Sequence, residues 1–84
     1  MKTIYKYKVP INSEFHLLMP IGAKILCLQM QNNEPYIWAL VSPTMSVEDV
    51  YFEILTTGGP AAAIAREYVG TFQKDGFVGH VFMQ

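Results

Sequence analysis

Lys24-Ile25-Leu26-Cys27-Leu28-Gln29-Met30-Gln31-Asn32-Asn33-Glu34-Pro35-Tyr36-Ile37-Trp38-Ala39-Leu40-Val41 is the stretch that decides the fold. Two alternating runs flank a pair of asparagines. Leu26, Leu28 and Met30 share one face of the first run, and Tyr36, Trp38 and Leu40 share a side of the second, the two-residue period of a strand. Asparagine tolerates the left-handed backbone that a tight hairpin turn demands. Asn32-Asn33 therefore predicts that residues 24–31 and 36–41 run antiparallel as neighbours.

The same pattern continues outward in both directions. Upstream, Thr3 to Val9 alternates, with Tyr5, Tyr7 and Val9 on one face and Ile4, Lys6 and Lys8 on the other. Phe15 to Met19 is a second short strand, bounded by Asn12-Ser13-Glu14 and by Pro20. Downstream, Pro43 to Asp49 reads as a polar loop. Val50 to Thr57 is a strand with Val50, Phe52 and Ile54 inward, and Gly58-Gly59-Pro60 breaks it. Ala61 to Glu67 has helix propensity over about two turns, too short to stand alone, so it reads as a single turn or a loop. Glu67 to Phe72 and Phe77 to Met83 are the last strands, joined by a turn at Lys74-Asp75-Gly76. The expected fold is all-β: a small antiparallel barrel or sandwich of six to seven short strands, at most one short helical turn, and one domain over residues 1–84.

Composition bounds the assembly and the chemistry. With 51% apolar residues, 13% aromatic and a net charge of −1, the chain is not disordered. No apolar run approaches the roughly 18 residues of a spanning helix, and no apolar segment follows Met1-Lys2, so neither a membrane partner nor a signal peptide is expected. Only 15% of residues are charged, against about 25% in ordinary domains, too few to coat a small monomer. Cys27 is the one cysteine, so no internal disulfide can staple the fold, and one Cys with two His rarely makes a zinc site. Small domains lacking both staples turn to oligomerisation, and a homo-oligomer, dimer or tetramer, is expected. The lone thiol suits a reducing compartment.

Few residues suggest catalysis. Cys27 between Leu26 and Leu28 reads as a small buried hydrophobe. His16 reads as a half-exposed strand residue, and Glu48-Asp49 as a solvated turn whose side chains diverge. There is no phosphate loop, dinucleotide fingerprint or metalloprotease helix, so no enzyme, no metal and no cofactor is expected. Lys6 and Lys8 read as the lysines that blunt an edge strand. A net charge of −1 lacks the footprint of a duplex binder, yet a small phosphorylated ligand needs only two or three cations. For such a ligand the candidates are Thr57 and Gly58, whose hydroxyl and backbone amides can approach an anion, and Arg66, the only arginine, whose guanidinium matches phosphate. Tyr68 and Trp38 offer faces on which a base can stack. His80 points along the row of Val78 and Phe82 and needs a partner, which a bound anion would supply.

Met1 to Tyr7, Pro20 to Leu26, Tyr36 to Val41, Thr57-Gly58, Arg66 to Thr71 and His80-Val81-Phe82 together resemble a family of small phage proteins of unknown function. That family looks like one that itself includes phage anti-CBASS sponges, which sequester cyclic oligonucleotide immune messengers without hydrolysing them. The chain departs from the family pattern at Gly58-Gly59-Pro60, where relatives often carry Gly-His-Pro, and at Ala61-Ala62-Ala63, where many carry acids. The resemblance implies a cyclic di- or trinucleotide ligand and action in the host cytoplasm. Bases would stack on Trp38, Tyr68 or Tyr5, and phosphates would meet Arg66, His80 and the amides near Gly58. A different class of function, direct inhibition of a host defence protein, fits an aromatic surface with few charges.

Overall fold

The computed structural model describes residues 1–60 and 67–84. These form seven strands: β1 (Thr3–Lys8), β2 (Glu14–Pro20), β3 (Lys24–Gln31), β4 (Glu34–Val41), β5 (Val47–Thr56), β6 (Glu67–Lys74) and β7 (Phe77–Met83). They lie in two antiparallel sheets, one of order β1-β4-β3 and one of order β2-β5-β7-β6. The expected all-β fold is present. Among the described residues the sheets are not closed into a barrel: β1 and β3 are the outer strands of one sheet, β2 and β6 of the other. The helical turn expected between Ala61 and Glu67 lies outside the described residues, apart from Glu67, which opens β6.

Turn chemistry explains the hairpins. Asn32 and Asn33 both take positive φ, 52° and 61°, and join β3 to β4 as expected. Asp75 and Gly76, at 49° and 84°, do the same between β6 and β7. The polar loop expected up to Asp49 is shorter than expected, because Val47–Asp49 pairs with Leu18–Pro20 and lengthens β5.

Both sheets line one core. Ile37, Ala39 and Val41 of β4, with Leu28 of β3, face Phe15 and Met19 of β2, Phe52 and Ile54 of β5, Phe72 of β6 and Val81 of β7. Phe15 and Phe52 are direct cross-strand neighbours and stack with ring centres 5.0 Å apart. The β1–β2 connection ties the sheets together: the Val9 N–H donates to the Pro35 carbonyl, and the Ile54 N–H donates to the Ser13 carbonyl. Tyr36, Trp38 and Leu40 do share a side, and it is the side away from the core.

Two bulges set what faces out. In β3 the register slips between Ile25 and Cys27. Leu26 is the extra residue, so it is exposed rather than packed with Leu28. Cys27 pairs with Trp38 on the outer side and is half-buried, not the core residue expected. In β6 the slip falls between Tyr68 and Gly70.

Candidate functional site

The outer side of the four-stranded sheet carries a chain of polar groups. Thr71 of β6 lies directly across the ladder from His80 of β7, and Tyr68 lies across from Phe82. Strict alternation would put Tyr68 on the face of Phe72, inside the core. The bulge at Val69 inserts one residue, so Tyr68 and Thr71, three apart, share the outer face. The Tyr68 hydroxyl then lies 2.6 Å from Thr71 Oγ1. Thr71 Oγ1 lies 2.9 Å from His80 Nδ1, and His80 Nε2 lies 2.6 Å from Thr57 Oγ1. Four side chains from β5's end, β6 and β7 form one continuous hydrogen-bonded row.

The row has a defined chemistry. A neutral imidazole donates from one nitrogen and accepts at the other, so one threonine hydroxyl accepts a hydrogen bond from His80 and the other donates one to it. Here the second ring nitrogen meets Thr71, and Thr71 meets Tyr68. The row ends at the turn after β5, where Gly58 has φ +77° and the Gly59 N–H donates to the Thr56 carbonyl. At the other end Tyr68 is 57% exposed and meets Phe82 edge to face at 5.4 Å.

The structure therefore brings together Thr57, Gly58, Tyr68 and His80. Arg66 lies outside the described residues. Trp38 and Tyr5 do not join this group. Trp38 sits on the outer face of the three-stranded sheet beside Tyr36, with ring centres 5.9 Å apart. There Ile4, Leu26, Cys27, Gln29 and Trp38 line a shallow groove of about 430 Å³. Tyr5 lies on the opposite face of that sheet, opposite Ala39 and beside Tyr7. Sequence reading missed Thr71, because nothing in Tyr68-Val69-Gly70-Thr71 announces a bulge except the half-buried Gly70. It also missed Glu53, 7% exposed, which occupies the outer row of β5 across the ladder from Phe82.

The fold and this row define a small two-sheet β domain that carries hydroxyl, imidazole and aromatic groups together on one outer face. Over residues 1–84 the chain matches the family described as Domain of unknown function (DUF7352), and it belongs to that family. No curated protein and no solved structure matches it.

Proposed function

We propose that the protein is a non-catalytic phage anti-defence protein that binds a cyclic oligonucleotide messenger in the host cytoplasm and lowers its free concentration by mass action. The observation that carries this reading is the joining of Thr57, His80 and Tyr68, three of the expected ligand-binding residues, into one hydrogen-bonded row beside Gly58. The ligand class rests on the sequence resemblance to phage sponges. The row suits such a ligand: with a neutral imidazole it holds four donor protons for three internal hydrogen bonds, so one hydroxyl is left to donate to a phosphate oxygen, and the exposed Tyr68 ring offers a stacking face.

Titration calorimetry against a panel of cyclic di- and trinucleotides tests this. At least one should release heat with the wild type, lose most of that heat with His80→Ala, and be recovered intact after the protein is denatured. Absence of both heat and thermal shift across the panel would end the messenger reading. A second reading, direct binding of a host defence protein, is favoured by Leu18, Val47 and Tyr51, large side chains exposed on β2 and β5. A stoichiometric partner captured from host lysate after phosphodiesterase treatment would support it over the first.

A further inference from the structure

We infer that the free edge of β1 is where two copies of this chain join, continuing the three-stranded sheet antiparallel across a two-fold axis centred on Tyr5. This stands on the sheet edges and is independent of which ligand the His80 row takes. The four outer strands differ in how their edges are protected. An unpaired edge strand is a template for another strand, and proteins blunt it with bulges, prolines or projecting lysines. β3 and β6 each carry a bulge, at Leu26 and Val69. β2 ends on Pro20, which has no N–H to give. β1 has neither device: six consecutive residues pair with β4 in unbroken register, and the strand contains no proline.

The lysines of β1 are the remaining protection, and they are turned away from the edge. Lys6 Nζ donates to Gln31 Oε1 of β3 at 2.7 Å and lies 4.7 Å from the centre of the Tyr36 ring. Lys8 Nζ lies 3.4 Å from Glu34 Oε2. Both ammonium groups are folded back across the sheet's own outer face, so the edge itself presents backbone and apolar side chains. Ile4 is 56% exposed and Tyr5 40%. On the inner face the Tyr7 hydroxyl is buried with no hydrogen-bond partner among the described residues, and burial together with Tyr5 raises its pKa.

Register follows from parity and charge. Residues directly opposite in an antiparallel pair share a face, so a two-fold must pair odd with odd and even with even. Centring on Lys6 would set it against its own copy, like charge on like. Centring on Tyr5 instead sets Lys6 against Ile4 and Tyr7 against Thr3 of the second copy. The remaining like pair sets Lys8 against Lys2, which lies before the first residue of the strand, and Lys8 is already held by Glu34.

Cysteine cross-linking reads both the contact and its register. In a Cys27→Ser background, Tyr5→Cys places two thiols opposite one another, within the roughly 4.4–6.8 Å Cα range a disulfide needs. It should oxidise to a covalent dimer at least tenfold faster than Leu26→Cys at the bulged edge of β3. Mixing Ile4→Cys with Lys6→Cys should give a heterodimer in preference to either homodimer, and it serves if Tyr5→Cys misfolds. An interface of this size falls in the weak class, so sedimentation of the wild type is read at about 100 µM. A clean monomer there, or equal cross-linking at Tyr5 and Leu26, would overturn the inference.

Discussion

At the residue scale the site depends on spacing that the sequence conceals. Thr57, Tyr68 and His80 were each readable, by residue type and by the row of Val78, His80 and Phe82. What joins them was not, because Thr71 reaches the same face only through the bulge at Val69. Gly79 shows the same kind of concealed constraint. In the sequence it is a glycine inside a strand, a position where backbone entropy weakens a sheet. In the structure a Cβ there would stand 2.7 Å from the Phe72 ring and 2.9 Å from Ile54 Cγ2. Both neighbours are themselves core side chains, Phe72 and Ile54, so either must shift within the packed interior. Gly79→Ala would gain about 0.4–1 kcal/mol by restricting the unfolded chain. Overpacking a filled core costs about 1–3 kcal/mol, so the cost should win. Urea denaturation should show a lower midpoint for Gly79→Ala, and an unchanged midpoint would mean that the ring has room the geometry denies it.

At the element scale the hairpins were legible and the edges were not. Asn32-Asn33 and Asp75-Gly76 announced their turns because few residues accept positive φ. The bulge at Leu26 had no such signal: Ile25, Leu26, Cys27 and Leu28 are all apolar, so the pattern cannot say which one is extra. The two hairpin tips are also clamped to each other. Lys74, at the end of β6, donates to the Asn33 carbonyl at 2.9 Å and to Glu34 Oε1 at 2.8 Å. That hydrogen bond, more than the charge of Lys74 or of Lys8, holds the Glu34 carboxyl below its ordinary value of 4.5. A carboxylate whose pKa is lower folded than unfolded adds stability that is fully present above the unfolded pKa. That stability is lost as pH falls through the folded pKa. The stability gap between wild type and Glu34→Gln should therefore be constant near neutrality and close in acid, measured by urea midpoints from about pH 7 to about pH 3. A gap that did not change with pH would show that the clamp is not electrostatic.

At the scale of the whole molecule, the described fold measures 41 × 32 × 16 Å, a plate whose two sheets share a single layer of core. Its integrity depends on how closely those sheets meet, and the closest meeting is that of β3 with β6. Gly70 lies against Leu28 there: a Cβ on Gly70 would stand 2.8 Å from Leu28 Cβ and 3.1 Å from its Cδ2. The contact couples a residue that must be small to one that must be large. Gly70→Ala should push β6 off β3 at a cost of about 1–3 kcal/mol. Leu28→Ala should cost at least about 2 kcal/mol, through lost burial and the cavity left behind. In the double variant the new methyl enters the space that Leu28 vacates, relieving both the clash and part of the cavity. Its total cost should fall short of the sum of the singles by about 1 kcal/mol or more, within the range measured for touching residues. Denaturant titration of all four proteins reads this directly, provided the slopes agree so that one transition is compared throughout. Costs that add to within about 0.5 kcal/mol would mean that the two positions do not touch, and that the sheets are held by the β1–β2 connection and the hairpin clamp instead.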